Sequence, residues 1–258
     1  MPWLSCWCLR GACRAMRFAR SILCAAFFLL FGVGGLVFSF MLLFPFPKPV
    51  ARRALKGAFR FFVWLGRVTR LFRVDVAPAD RQILSALRGS VVVANHLTLI
   101  DAVILLAVVG DSVCVTKKAV SRNPFMRAVA RNVLIVNERP LGVLNCAQRY
   151  LADGVNVIVF PEGTRTPASA PVRVFRRGAA HMALRSGAPV EAISISCDPL
   201  VLGKRQPWWN VGARTIVYNV RYRGRIDLPH STNRQKGRAV RTQAAALTRE
   251  MHERIFGA

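Results

Sequence analysis

Six short apolar runs, four to seven residues long and rich in β-branched side chains, recur between Val91 and Val220: Val91 to Ala94, Val113 to Thr116, Val133 to Val136, Val155 to Phe160, Val190 to Ser196 and Thr215 to Val220. Runs this short and this uniformly apolar suit strands buried on both faces, which requires helices above and below the sheet. The segments between them, near 101–109, 124–131, 141–152 and 175–186, have helical length, as does a last one near 234–255. The alternation predicts an α/β fold: a largely parallel sheet flanked by helices, with ligands held where the chain leaves the carboxyl ends of the strands.

The part before Asp75 obeys another pattern. Residues from Ile22 to Phe44 carry no charge, and about twenty apolar residues suffice to cross a bilayer's hydrocarbon core. The run is longer than the 7–15 apolar residues usual for a secretory leader; Pro45-Phe46-Pro47 follows it in place of a small-residue cleavage site. It reads as an uncleaved N-terminal membrane helix. Arg10, Arg14, Arg17 and Arg20 precede it and a longer basic series follows. Because positive charge stays cytoplasmic, the heavier downstream flank predicts an inner or cytoplasmic membrane with the catalytic part facing the cytoplasm. A hairpin entering one leaflet would satisfy both flanks. On a helix, Arg52, Arg53, Lys56, Arg60, Arg67 and Arg70 fall within an arc of roughly 100°, with Leu55, Phe59, Phe61, Phe62, Leu65, Val68, Leu71 and Phe72 opposite. This suits an amphipathic interfacial helix, or else a helix packed on the core with a solvated face. Two units are expected: residues 1–74 as anchor and interfacial helix, and residues 75–258 as the α/β domain, a length that suits one core.

The chain has 38 Lys plus Arg against 12 Asp plus Glu, a formal net charge of +26, so a polyanionic partner is expected. Beside an apolar helix, anionic membrane lipids fit better than nucleic acid. Nucleic-acid readers interleave aromatic and basic residues on an exposed face, a pattern found here next to the anchor and not in the α/β domain. No nucleic-acid partner is expected. Trp208 and Trp209, beside Lys204 and Arg205, suit either the membrane interface or a loop packed on the domain. The seven cysteines are odd in number and lack a paired C-x2-C framework, which predicts reduced thiols, no metal and no cofactor.

Two of the runs lead into chemistry. After Val91 to Ala94 come Asn95-His96-Leu97-Thr98-Leu99-Ile100-Asp101, and Val155 to Phe160 leads into Pro161-Glu162-Gly163-Thr164-Arg165. An imidazole is largely in its base form near neutral pH and suits removal of a proton from an attacking alcohol. A carboxylate on its other ring nitrogen fixes the tautomer and stabilises the imidazolium, which makes His96 the candidate general base and Asp101 its orienting partner. Five residues is a poor spacing for one helix face, so the two meet only if the turn folds back. Gly163 permits a close backbone approach, with an N–H for a phosphate or an oxyanion. Arg165 has the planar fork that grips phosphate, and Glu162 could orient Arg165 or accept from a substrate hydroxyl. No G-x-S-x-G setting or cysteine nucleophile signature occurs, so direct transfer is expected over an acyl-enzyme. A thioester suits as donor because a thiolate leaves far more readily than an alkoxide. His181, His230 and His252 have no such company and read as structural or exposed.

The H-x4-D and F-P-E-G-T-R pair resembles the glycerolipid acyltransferases of the lysophosphatidic acid acyltransferase type, over roughly residues 75 to 230. The similarity continues at Phe175-Arg176-Arg177-Gly178-Ala179 and at Ala188-Pro189-Val190, and departs where Ala192 replaces a second proline. The resemblance implies that Asp101 folds back onto His96. It also implies a substrate-binding set of Glu162, Gly163, Thr164 and Arg165, with Arg139 standing for the arginine of the intermediate motif. The expected reaction moves a fatty acyl group from acyl-CoA or acyl carrier protein to a lysophospholipid acceptor, the 2-hydroxyl of 1-acylglycerol 3-phosphate. The alternatives are a lyso-ornithine lipid or hydroxylated polyketide-type lipid as acceptor, or a non-catalytic basic membrane-surface or nucleic-acid-binding protein.

Overall fold

The computed structural model describes residues 3–41, 46–118, 127–137, 139–166, 173–204, 206–207, 209, 211–228 and 238–257. In chain order the elements are α1 (Trp3–Met41), α2 (Lys48–Val68), β1 (Phe72–Val76), α3 (Pro78–Ala86), β2 (Val91–Ala94), α4 (Asp101–Val108), β3 (Ser112–Lys117) and α5 (Arg127–Val133). They continue with β4 (Leu134–Asn137), α6 (Pro140–Ala152), β5 (Asn156–Val159), α7 (Gly178–Ser186), β6 (Val190–Asp198), β7 (Ile216–Ile226) and α8 (Arg238–Phe256).

The described strands form one seven-stranded sheet in the order β1-β7-β6-β2-β5-β3-β4. Every pairing is parallel except β6 with β7, so the expected parallel α/β sheet carries an inverted pair, β7 and β1, at one side. β2 and β5 are uniformly buried, because helices cover both faces. One face packs α1, α2 and α4 in a cluster containing Val92, Ile104, Ile158 and Tyr218. The other packs α6, α7 and α8 around Val91, Val93, Val157 and Ala192. β2 and β5 are direct neighbours, with Val93 opposite Val159. The two chemistry-bearing loops therefore leave the same sheet edge side by side.

Two elements go beyond the sequence expectation. Leu71 and Phe72 fall on the apolar face expected of the amphipathic helix, yet that helix ends at Val68 and Phe72–Val76 forms an edge strand. Arg73 and Asp75 alternate with its apolar residues, a half-buried pattern that a search for uniformly apolar runs passes over. Pro78–Ala86 is a short helix with Pro78 in its first turn and only Leu84 buried, too little periodicity to announce itself. Of the last predicted helix, residues 234–237 lie outside the described residues, as do 124–126 of the second and His230, Arg205 and Trp208.

α1 and α2 form an antiparallel hairpin laid on the domain. Phe27 of α1 meets Phe62 of α2 and Phe72 of β1, at ring distances of 4.3 and 5.6 Å, and Phe72 meets Tyr218 of β7 edge-on at 6.0 Å. Leu55, Phe59 and Phe62 are buried in the core, each worth about 1.5–3 kcal/mol relative to exposure. The basic arc of α2 does not simply face water. Arg52 makes a two-pronged pair with Asp111 (3.0 and 2.9 Å). Lys56 donates to the carbonyls of Val109 and Gly110 and Arg60 to that of Ala107. These cations satisfy the carbonyls left open at the C-terminus of α4, where the helix dipole favours positive charge. Burial, and then the repulsion of Arg60, lowers the Lys56 pKa to about 8. What stays exposed on α2 is partly apolar: Val50, Phe61, Trp64 and Val68. Met16–Phe38 of α1 is long and apolar enough to cross a membrane, and only 11% of its most apolar stretch is buried. The hairpin thus leaves apolar side chains of both helices exposed while its inner side completes the core.

Gly66 of α2 is where the hairpin presses closest on the sheet: an added Cβ would lie 2.4 Å from the Phe72 ring. Gly66→Ala is expected to lower stability by about 1–3 kcal/mol through overpacking. Gly57→Ala, where a Cβ meets nothing within 4 Å, should be neutral or stabilising by up to about 1 kcal/mol. Thermal denaturation of the two variants in the same detergent separates these outcomes.

Candidate active site

Where β2 ends, the Asn95 side chain extends the ladder in its own way. Its amide donates to the Ile195 carbonyl (2.8 Å) and accepts from the Ile195 N–H (2.7 Å), tying the chain to β6 for one more step. His96 then turns off the sheet. The turn is organised by Asp101, whose side chain is wholly buried at the start of α4. Its Oδ2 accepts from the N–H groups of Leu97 (2.7 Å) and Thr98 (2.8 Å) and lies 3.0 Å from His96 Nδ1. Its Oδ1 accepts from the Thr98 hydroxyl. This is how a five-residue spacing brings acid and imidazole together: the carboxylate, on the first residue of the helix, reaches back to the N–H groups of the preceding turn and meets the ring in the same place. A carboxylate oxygen on Nδ1 fixes the ring proton there and leaves Nε2 as the acceptor.

The second motif supports the first from the side. Glu162 Oε1 accepts from the His96 N–H (2.9 Å) and the His96 carbonyl accepts from the Thr166 N–H (2.8 Å), so the motifs are stitched together on both sides of His96. Phe160 stacks on the imidazole at 4.3 Å and 23°. The ring is thereby held at one nitrogen and one face, and its side chain remains 20% exposed. Gly163 takes φ +66° and its N–H closes a turn onto Phe160 O at 3.0 Å. The Arg176 guanidinium stands 3.3 Å from where a Cβ would project there. Position 163 thus calls for glycine on conformational and steric grounds. Arg165 Nη1 donates to the carbonyls of Leu202 (3.0 Å) and Gly203 (3.1 Å) in the β6–β7 loop. Thr164, partly exposed, lies between these two.

Among the predicted residues, His96, Asp101, Glu162, Gly163, Thr164 and Arg165 therefore converge. Arg139 does not join them: it caps the start of α6, exposed, after the outermost strand β4. Asn95, Phe160 and the Leu202 carbonyl were missed by sequence reasoning. Asn95 directly precedes His96 and Phe160 opens the second motif, so both could have been weighed there; Leu202 offers only a backbone oxygen, which no side-chain pattern signals. His252 packs against Phe175 and Phe256 at 5.2 and 4.9 Å as a structural aromatic. No group of three or more His, Cys, Asp and Glu side chains is arranged to hold a metal ion among the described residues.

Residues 75–196 match the family model described as Acyltransferase. Within the matched segment lie both motifs, the turn at Asp101 and the strands that carry them. A 1-acyl-sn-glycerol-3-phosphate acyltransferase of Borreliella burgdorferi is 27% identical over 112 residues, covering 41% of this chain and 44% of that protein. The match thus spans less than half the length of that relative. The crystal structure of the 1-acyl-sn-glycerophosphate (LPA) acyltransferase PlsC from Thermotoga maritima superposes with a TM-score of 0.63 at 21% identity, covering 92% of this chain and 97% of that one. At that identity the likeness speaks to the fold, and its coverage extends beyond residues 75–196.

Removing the Glu162 carboxylate leaves the His96 N–H without its acceptor. Glu162→Ala is expected to destabilise by about 1–3 kcal/mol and to speed hydrogen exchange at the His96 amide, whereas Glu162→Gln retains an acceptor oxygen and most of the protection. Asp101→Asn, which puts an NH2 group among converging donors, should cost about 1–3 kcal/mol as well, read from denaturant midpoints.

Proposed function

We propose that this chain is a membrane-associated acyltransferase that moves a fatty acyl group from a thioester donor, acyl-CoA or acyl carrier protein, to the hydroxyl of a lysophospholipid. The acceptor that fits best is 1-acylglycerol 3-phosphate, giving phosphatidic acid. The observation that carries this reading is the imidazole of His96, fixed at Nδ1 by a buried carboxylate and stacked on Phe160. In the proposed reaction His96 Nε2 takes the hydroxyl proton as the oxygen attacks the thioester carbonyl. A C–O bond forms, the tetrahedral intermediate expels the thiolate as the C–S bond breaks, and the proton passes from the imidazolium to the departing sulfur. Asp101 keeps the imidazole in the reacting tautomer and stabilises its charged form. Glu162 acts on the backbone of His96, and Gly163 and Thr164 shape the turn beside it.

Arg165 is the candidate phosphate ligand. Two of its interactions go to loop carbonyls, and the guanidinium has further N–H donors for an anion. Arg139, after β4, serves an acceptor phosphate only from further along the sheet edge. Residues 1–74 are the membrane-binding part, with α1 and the exposed Phe61, Trp64 and Val68 of α2 in the lipid; residues 75–258 carry the chemistry. The exposed apolar surface of a hairpin pressed on the domain supports entry into one leaflet from the cytoplasmic side, and the basic groups beside it meet anionic headgroups.

His96→Ala in detergent-solubilised protein is expected to lower acyl transfer to lysophosphatidic acid by about a thousandfold or more, in assays offering acyl-CoA and acyl carrier protein separately. Arg165→Ala should raise KM for the phosphorylated acceptor more than for the donor. An unchanged acceptor KM would remove Arg165 from phosphate binding, and transfer that survives in His96→Ala would remove the proposed base.

A further inference from the structure

The β6–β7 loop, between Asp198 and Ile216, is held at both ends by arginines that belong to different parts of the protein. At its start, Arg165 of the second motif grips the Leu202 and Gly203 carbonyls. The Leu202 carbonyl also accepts from the Leu99 N–H at 3.0 Å. Leu202 is 3% exposed and takes φ +59°, a left-handed conformation that costs a leucine energy and persists where the surroundings impose it. This end of the loop is therefore a wall of the active site, resting on the turn between His96 and Asp101.

At its far end the loop is bound by α1. Arg20, two residues before the uncharged run, points its guanidinium into the junction of three segments. Its Nε donates to Gly212 O (3.1 Å), Nη2 to Arg214 O (2.9 Å) and Leu71 O (3.3 Å), and Nη1 to Arg70 O (3.1 Å). One side chain thus ties the membrane helix to the loop and to the α2–β1 turn, where Arg70 also takes positive φ. Thr215 Oγ1 closes the junction onto Arg70 O at 2.9 Å. Between the clamps Val211 is 1% exposed, and Trp209 stands 50% exposed.

We infer that Arg20 is a positioning residue for the transfer reaction: through the β6–β7 loop it couples the seating of α1 to the wall of the acceptor site at Leu202. The loop can hold its shape only while α1 is docked at Arg20. The membrane helix is then a part of the catalytic assembly, and the site is complete when the helix is seated. Charge-assisted bonds to several carbonyls from one guanidinium make the clamp strong for its size and specific for arginine. This inference rests on the acyl-transfer reading above.

The test uses the full-length protein in detergent, with a short-chain, water-soluble lysophosphatidate so that membrane capture plays no part. Arg20→Ala is expected to raise the acceptor KM about tenfold, leave the donor KM within twofold and increase hydrogen exchange across 199–216 and at the Leu99 amide. Arg20→Lys, with one ammonium for several carbonyls, should fall between. Thr215→Val loosens the same junction without touching α1 and should shift the acceptor KM in the same direction. Arg17→Ala, an equal loss of charge one helical turn away, should change none of these. An acceptor KM that stays put while exchange rises would overturn the coupling. So would a loss in which both KM values and binding to anionic phosphatidylglycerol vesicles fail together, because Arg20 would then only staple the helix. If the wild-type protein transfers nothing, the acyl-transfer reading fails, and unchanged exchange in Arg20→Ala overturns the clamp separately.

Discussion

Asp101 lies wholly buried at the first turn of α4, and two N–H groups, one hydroxyl and one imidazole converge on its carboxylate. A carboxylate in such a place is tolerable because both of its oxygens are hydrogen-bonded. The same bonds also bend residues 96–100 into a tight turn and orient the histidine. Folding and chemistry therefore share one residue. The neighbouring elements serve this arrangement: Asn95 carries the chain off β2 in the right place, Glu162 holds His96 from the adjacent loop, and Phe160 covers one face of its ring.

Parallel pairing of β2 with β5 is what makes this support possible. In a parallel pair both strands finish at the same edge, so the loops that follow emerge next to each other though their residues lie some sixty positions apart. The inverted β7–β1 pair at the side brings the long β6–β7 loop back over that edge. A purely parallel sheet would have sent the chain to the opposite end through a crossover. The antiparallel step thus supplies a third segment to the site.

Much of this is readable from the residues. Runs such as Val91 to Ala94 are apolar throughout because they are central, and they were found at nearly their true bounds. The motif residues from His96 to Arg165 were recognised by type, and the meeting of His96 with Asp101 followed from the resemblance alone. What escaped detection obeys mixed constraints. Phe72–Val76 alternates like an edge strand and abuts a helix of similar composition. Lys56 and Arg60 of the basic arc turned out to serve carbonyls at the end of α4, a role that depends on where α4 stops. Arg20 looked like one of several flanking positive charges, and its acceptors are backbone oxygens up to 194 residues away. Side-chain patterns signal partners that are side chains; they are silent about carbonyls.

The hairpin's inner face has a consequence for handling the molecule. Leu55, Phe59 and Phe62 belong to the same cluster as Ile104, Leu105 and Tyr218, and Phe72 joins them from β1. A fragment begun at Asp75 would lose the first part of an edge strand and the share of one side's cover that α1 and α2 supply. The familiar route to a tractable enzyme, trimming away the oily N-terminal segment, would here uncover a second apolar surface, the one that these helices cover from their inner side. The same helices leave apolar side chains exposed on their outer side, so whatever shields those side chains also protects the cover of the sheet.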